Sequence, residues 1–184
     1  MAGSPKPVRR IVTKDGKDGK SRAIADGPVE SVATDAARPG YSSSRVWLTD
    51  RTPAGSEDIR DRLARLPHGI TPPPGGSLCR IVTIPPDDSW RGKVGEAEVR
   101  AHFEAIGAPG ASRYSAGAPH PYLQQTRTLD FCLILEGEVT LVLDTEEVHL
   151  KAGDTVVQRG TRHAWRNRSD RNCVIAFSIH DAAG

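Results

Sequence analysis

A run of short β-like segments between residues 123 and 180 restricts what this chain can fold into. The segments are Thr128–Leu135, Val139–Asp144, Glu147–Leu150, Thr155–Gln158, His163–Asn167 and Cys173–His180. Glycines at positions 137, 153 and 160 fall between them, at points where a tight turn often needs a positive φ. Short strands at near-regular spacing with glycine turns predict an antiparallel sandwich or barrel.

The first half of the chain is less regular. A hairpin is predicted from Arg10 to Ile24 around the turn sequence KDGKDGK, and residues 28–44 are rich in turn formers and predict a loop. Strands are predicted at Ser44–Thr49 and Ser77–Ile84, and helices at Ser56–Leu66 and Gly95–Ile106. We therefore predict two units, an N-terminal arm over residues 1–76 with short strands and a helix, and a barrel domain over residues 77–184.

The charge balance and the cysteines exclude several classes of protein. With 25 basic and 23 acidic residues, the net charge of +2 gives no reason to expect a nucleic-acid partner. Cys79, Cys132 and Cys173 are widely spaced in apolar runs, which favours buried free thiols over disulfides or a zinc site. No apolar run approaches the length of a membrane span, and no apolar signal core follows the N-terminus. These features predict a cytoplasmic protein without a membrane partner.

Two stretches of the second half resemble the two motifs of the cupin superfamily. In the first, Asp130 and Gly137 match the closing carboxylate and glycine with six residues between them. In the second, Gly160, His163 and Asn167 match in spacing, although Gln158 stands where the motif has proline. The resemblance implies a cupin double-stranded β-helix, a jelly-roll barrel, here with an N-terminal arm and one or two short helices. It also implies a homodimer.

The resemblance does not extend to the usual metal ligands. By position, the two histidines of the first motif become Gln124 and Thr126, its glutamate becomes Asp130, and only His163 is kept. One imidazole, one carboxylate and one amide form a poor site for zinc or iron, so no cofactor is the leading expectation. A divalent transition metal held by His163, Asp130 and Gln124, with His120 nearby in sequence, stays open as the alternative.

Without a metal, the polar residues of the two motifs suggest acid–base chemistry. A carboxylate and an imidazole can orient one another and move protons, so Asp130 and His163 are the candidate catalytic pair. Gln124 and Thr126 share parity with Asp130 and Cys132, and an unbroken strand would place all four on one face. There, Gln124 and Thr126 are candidates to bind the substrate by donating hydrogen bonds to its oxygen. Cys132 is also a candidate nucleophile if His163 serves as its base.

Three further residues are candidates for binding a substrate. Tyr122 lies two positions before Gln124 and is a candidate contact at the barrel mouth. Trp165 shares parity with His163 and either walls the ligand cavity or packs in the core. Arg159, like Arg162, flanks the turn before His163 and either binds a substrate carboxylate or faces solvent.

These residues lead to three hypotheses about function. The first is a small-molecule enzyme of the lyase or isomerase type, which decarboxylates, dehydrates or enolises an organic acid or carbonyl compound. The second is a metal-dependent cupin dioxygenase or isomerase. The third is a cupin that binds a small ligand without catalysis. Each takes a small molecule as its partner, and the first is favoured because Asp130 and His163 are retained.

Overall fold

The computed structural model describes residues 4–55 and 66–182, which form eleven strands and one α-helix. The first five strands are β1 (Arg9–Asp15), β2 (Ser21–Pro28), β3 (Val32–Thr34), β4 (Ser42–Thr49) and β5 (Ser77–Ile84). Helix α1 (Glu96–Ala105) follows them. The remaining strands are β6 (Thr128–Glu136), β7 (Glu138–Val142), β8 (Glu147–Lys151), β9 (Thr155–Arg159), β10 (Ala164–Arg166) and β11 (Cys173–Asp181).

The described strands form a jelly roll of two antiparallel sheets and a separate hairpin. One sheet has six strands in the order β3-β4-β5-β11-β6-β9, and the other has three in the order β10-β7-β8. Strands that lie far apart in sequence, such as β5 and β11, are neighbours in the larger sheet. The hairpin of β1 and β2 confirms the predicted hairpin around KDGKDGK. The predicted all-β class and jelly-roll architecture are confirmed.

The main core lies between the two sheets and is filled by alternate residues of their strands. On β6, Cys132 and Ile134 are buried with Asp130, whereas Phe131 and Leu133 on the opposite face are exposed. This two-residue alternation is the one expected for a strand with one face on a core. Because Asp130 lies on the inward face of β6, its carboxylate is in the interior of the protein.

Glycines make the turns that bring these strands together. Gly137 joins β6 to β7 with a φ of 74°, and a Cβ at this position would lie 2.7 Å from the Asn172 carbonyl oxygen. Both the left-handed conformation and the close backbone contact therefore require glycine. The predicted turns at Gly153 and Gly160 are also confirmed, with φ values of 96° and 65°.

Part of the N-terminal region belongs to the larger sheet. The loop predicted over residues 28–44 is wrong in part, because β3 and the start of β4 lie within it and pair with each other. The serines at positions 42 and 43 hide the start of β4 from hydrophobic periodicity, whereas the rest of this strand was predicted at Ser44–Thr49. β4 pairs with β5 from Ser42–Thr83 to Thr49–Ser77, so pairing crosses the predicted domain boundary between residues 76 and 77. The boundary itself stays a prediction.

Helix α1 confirms the helix predicted at Gly95–Ile106. It starts with a capping interaction in which the Gly95 N–H donates to Glu98 Oε2 at 2.9 Å. Its buried face carries Val99 and Phe103 into a second hydrophobic cluster with Trp90. The other predicted helix, Ser56–Leu66, falls largely on residues outside the described ones. Among the described helices, none is long and apolar enough to cross a membrane.

Candidate functional site

A small cavity lies inside the molecule, on the inner side of the six-stranded sheet. Its volume is about 40 Å³, which is room for roughly three water molecules. Its polar and aromatic lining residues are Arg38, Tyr41, Arg80, His102, Phe103, Tyr122, Gln124, Trp165 and Phe177. The fold thus brings together three predicted binding residues, Tyr122, Gln124 and Trp165. It also places two buried arginines here, Arg38 and Arg80, which the sequence did not suggest as site residues.

His163 lies just before β10 with both ring nitrogens engaged. Nδ1 is 2.9 Å from the Thr161 carbonyl oxygen, and Nε2 is 3.2 Å from Gln124 Nε2. A carbonyl oxygen only accepts, so Nδ1 carries the proton and Nε2 accepts from the Gln124 amide. Burial, with the charge of Arg80 as a smaller cause, lowers the pKa of His163 to about 4. At neutral pH, His163 is therefore a neutral imidazole with a defined tautomer.

Gln124 connects this histidine to the cavity. Its backbone exchanges two hydrogen bonds with His163, at 2.8 and 2.9 Å, in an isolated β-bridge. Gln124 and Cys132 do not lie on one unbroken strand, because β6 begins at Thr128, as predicted. Gln124 nevertheless reaches the interior, since its bridge to His163 ties this loop to the start of β10.

Asp130 is buried on β6 and lacks a complete set of partners. Its Oδ1 atom is inaccessible to solvent and has no hydrogen-bond partner among the described residues. Burial raises the pKa of Asp130 above its ordinary value, although the Thr128 hydroxyl and the Arg80 charge act in the opposite direction. A buried carboxyl with a raised pKa holds its proton more readily and can donate it.

Asp130 and His163 do not form the direct pair that the sequence analysis considered. Within the described residues, no ion pair of 4.0 Å or less joins them, because both nitrogens of His163 face other groups. The ring nitrogens of His120 likewise contact residues other than Asp130 and His163. Its Nε2 lies 3.4 Å from Asp87 Oδ2, and its Nδ1 accepts from the Tyr122 backbone N–H.

Thr126 and Arg159 line a different space, an open cleft of about 380 Å³. Arg113 and Arg127 line the same cleft, and Thr128 forms part of its wall. Arg159 is exposed there, whereas Thr126 bonds to the Thr128 hydroxyl at 2.7 Å. The predicted substrate residues are therefore divided between this cleft and the inner cavity, with Asp130 two positions beyond Thr128 on β6.

Arg80 is one of the two buried arginines of the cavity that the sequence did not suggest as site residues. It lies on β5, is 6% exposed, and holds its guanidinium carbon 4.8 Å from the centre of the Phe177 ring. One signal was present, since a charged residue stands in the otherwise apolar run Leu78–Ile84. That signal was ambiguous, because Cys79 and Ile81 make the opposite face of the strand apolar too.

The family model that describes the cupin domain matches residues 112–180. This match covers β6 to β11 together with the loop that carries Tyr122 and Gln124. Residues 112–180 of the chain therefore form a cupin domain. The turns at Gly137, Gly153 and Gly160 all lie inside the matched region, as does the β-bridge between Gln124 and His163.

Relatives of this cupin occur among fungal biosynthesis proteins. It is 36% identical over 129 residues to the phomopsin biosynthesis cluster proteins C′ and D of Diaporthe leptostromiformis. That alignment covers 67% of this chain and 52% of those proteins. Identity to the oryzines biosynthesis cluster protein J of Aspergillus oryzae is 48% over 60 residues, or 32% of this chain and 34% of that protein. The chain thus spans about half the length of the phomopsin relatives.

Solved cupin structures resemble the chain at low identity. The Cnp3 cupin domain of Schizosaccharomyces pombe is 8% identical with a TM-score of 0.44, covering 94% of this chain and 87% of that one. A cupin 2 barrel protein of Salinispora arenicola is 14% identical with a TM-score of 0.43, covering 88% and 92%.

The cupin motif residues of this chain do not fit a transition-metal site. Among the described residues, no group of three or more His, Cys, Asp and Glu side chains is arranged to hold a metal ion. Of the predicted ligands, Gln124 presents its amide nitrogen to His163 Nε2, and Asp130 stands apart from both. An amide nitrogen is a hydrogen-bond donor rather than a ligand, so this donor set lacks the convergent imidazoles and carboxylates such a site needs.

The cysteines of the cupin barrel are unpaired thiols. Cys132 and Cys173 are buried, as predicted, and burial raises the pKa of each to about 12. A thiol with such a pKa stays protonated, which does not favour Cys132 as a nucleophile. The prediction that Cys79 is buried is wrong, because it lies on the outer face of β5 and is exposed.

Proposed function

We propose that this cupin is a small-molecule enzyme of the lyase or isomerase type that acts on an organic acid or carbonyl compound. The observation that carries the proposal is the Asp130 carboxyl, which is buried, has an unpartnered Oδ1 and has a raised pKa. Buried polar atoms are rarely left without a partner in a purely structural role. The names of the relatives associate those proteins with the biosynthesis of phomopsin and of oryzines, which supports a small-molecule role.

In this proposal, Asp130 is the proton donor and His163 the proton acceptor. Neutral His163 offers its Nε2 lone pair once the Gln124 amide turns to the substrate. The acid and the base then work on different atoms of one substrate, which requires space between them rather than a direct contact. Enolisation and dehydration each remove one proton from carbon and deliver one to oxygen, whereas decarboxylation releases CO2 and delivers a proton to carbon.

The test is proton exchange and turnover with a panel of small oxo acids, hydroxy acids and neutral ketones in D2O, followed by NMR. We expect exchange or product formation with at least one compound, and a loss of about 10²-fold or more in Asp130→Asn. Asp170→Asn is the matched control, since the Asp170 side chain is 89% exposed, and it keeps the original rate. Full activity in Asp130→Asn would remove Asp130 from the mechanism.

A binding cupin without catalysis is the second candidate. It is favoured by His163, whose two nitrogens are both engaged and which is therefore fully satisfied without a substrate. A protein that gains thermal stability from a ligand in the panel, but shows neither exchange nor product with it, supports this candidate.

A further inference from the structure

Arg80 holds a positive charge in the interior without the partners that such a charge needs. Its Nε and Nη1 atoms are inaccessible to solvent, and neither has a hydrogen-bond acceptor among the described residues. Both nitrogens are donors, and a guanidinium does not lose its proton in proteins. Burying charged donors without acceptors is strongly unfavourable, so Arg80 destabilises the fold unless another group accepts its hydrogen bonds.

The other buried arginine of the cavity shows how such a charge is normally balanced. Arg38 is paired with Asp35 at 2.8 Å, and it stacks on the Tyr122 ring at 3.5 Å. Arg80 has no carboxylate within 4.0 Å in the described part of the chain. Asp130 acts on it only through its charge, and the raised pKa of Asp130 weakens that compensation. The cavity therefore has an excess of positive charge.

One other lining group also has a hydrogen bond that nothing accepts. Trp165 Nε1, which only donates, is buried and without a partner among the described residues. Trp165 and Arg80 both line the cavity and both pack on Phe177, with the Trp165 and Phe177 ring centroids 5.8 Å apart. Unpartnered donors on residues that line a cavity with an unbalanced guanidinium favour an anion with several acceptor atoms.

We infer that this cavity binds the carboxylate of a small organic acid, with Arg80 as the residue that pairs with it. The inference rests on the proposed function, since it takes the cavity as the substrate site of that enzyme, and it narrows the substrate class from organic acids and carbonyl compounds to carboxylates. A planar carboxylate accepts two parallel hydrogen bonds from a guanidinium. A second negative charge near Asp130 favours its protonated form, which is the form a proton donor needs.

The size of the cavity limits which part of a ligand it takes. About 40 Å³ accommodates a carboxylate group with little attached to it. His102 lines this cavity and also an outer groove of about 610 Å³ between α1 and the residues after β3. His102 thus separates the two spaces, and the groove lies where the rest of a larger acid would extend.

Binding of acetate and propionate, measured by calorimetry and by the shift in Tm, tests the inference without requiring turnover. Acetamide and propionamide, which have similar shape but no charge, and inorganic phosphate are the comparison ligands. We expect saturable binding of the carboxylates alone. Arg80→Met, an apolar change that leaves no buried charge behind, is expected to weaken it by at least about 30-fold. Arg80→Lys weakens it less, and Trp165→Phe weakens it several-fold.

Arg113→Met is the matched control, because Arg113 lines the outer cleft and not the cavity. Equal binding of the amides, binding of phosphate alone, or carboxylate affinity that is lost in Arg113→Met but kept in Arg80→Met overturns the inference. Carboxylate binding that depends on Arg80 without turnover leaves the inference standing and contradicts the proposed enzyme. Turnover of neutral ketones that survives Arg80→Met supports the proposed enzyme and contradicts the inference that its substrate is a carboxylate bound by Arg80.

Discussion

Asp130 and Arg80 are the residues that distinguish this interior from an ordinary hydrophobic core. Burial raises the pKa of Asp130 and lowers that of Arg80, so the surroundings disfavour the charged form of each. Each charge partly offsets the other, yet the two side chains form no direct pair within the described residues. In a buried ion pair with a structural role, the two charged side chains normally lie in contact, and their remaining polar atoms have hydrogen-bond partners. Separated, incompletely bonded groups are typical of sites that a ligand completes.

The buried histidines lead to a prediction about pH. The pKa of folded His163 is lowered to about 4, against 6.5 for an exposed histidine. As the pH falls from 6.5 towards 4, the unfolded chain takes up a proton that the folded chain does not. The free energy of unfolding therefore decreases with falling pH, by up to about 3 kcal/mol for this residue. Urea denaturation at pH 7.5, 6, 5 and 4.5 measures the decrease.

His163→Gln is expected to reduce this pH dependence, and part of it remains because burial also lowers the pKa of His102 to about 4. His149→Gln is the matched control, since its side chain is 63% exposed, and it keeps the original dependence. A pH dependence in His163→Gln equal to that of the unchanged protein would contradict a neutral, buried His163.

Among the structural elements, the turn between β10 and β11 is held by one residue of the second cupin motif. Asn167 is fully buried, and its amide donates to the Ile84 and Arg171 carbonyl oxygens at 2.9 and 2.8 Å. Its side-chain oxygen accepts from the backbone N–H and the hydroxyl of Ser169. The asparagine of the motif therefore ties β10 to the end of β5 and to the following turn.

Asn167→Ala is expected to lower the free energy of unfolding by about 3 kcal/mol, because it removes the two hydrogen bonds that the amide donates to the Ile84 and Arg171 carbonyl oxygens and the two that its oxygen accepts from Ser169. Ser169→Ala is the graded control, with an expected loss of about 1 kcal/mol, since Asn167 keeps its bonds to β5 and Arg171. Urea titrations of both variants measure the difference. Equal stability of Asn167→Ala and the unchanged protein would mean that the turn forms without this residue.

For the protein as a whole, the outer face of the six-stranded sheet is unusually apolar. Phe131, Leu133 and Leu135 on β6 are 49%, 39% and 43% exposed, and Val157, which pairs with Phe131 on β9, is 58% exposed. Contiguous apolar surface of this kind is typical of a protein interface. A second copy of the chain is the partner that we expect, as the cupin resemblance also implies.

We therefore expect a symmetric homodimer, with a mass in light scattering of twice 19.8 kDa. The double variant Phe131→Lys, Val157→Lys places charges on this face and is expected to run as a monomer with unchanged far-UV CD. Val148→Lys on the other sheet is the matched control and stays dimeric, although Val148 is 37% exposed. A monomer in the unchanged protein, or a dimer in the double variant, would rule out this interface.

Much of the fold and part of the candidate site were predictable from the sequence. The turns at Gly137, Gly153 and Gly160 depend on local backbone conformation. Alternation along β6 put Asp130 and Cys132 on one face, and the position of Asp130 in the cupin motif indicated that this face turns inward. These features are local, so a short stretch of residues contains them completely. Gln124 was predicted to face the interior for a partly wrong reason, since a β-bridge to His163, and not a continuous strand, holds it there.

The composition of the cavity was decided only by the tertiary structure. Arg80 lies on a strand that is apolar on both faces, so its sequence cannot indicate which side turns inward; pairing with β4 and β11 decides this. The separation of Asp130 from His163 likewise depends on how β6, β9 and β10 are placed in two sheets. The sequence by itself determined the turns, most of the strands and the cupin motifs. Long-range strand pairing determined that a buried arginine, rather than a second histidine, shares the interior with the retained carboxylate.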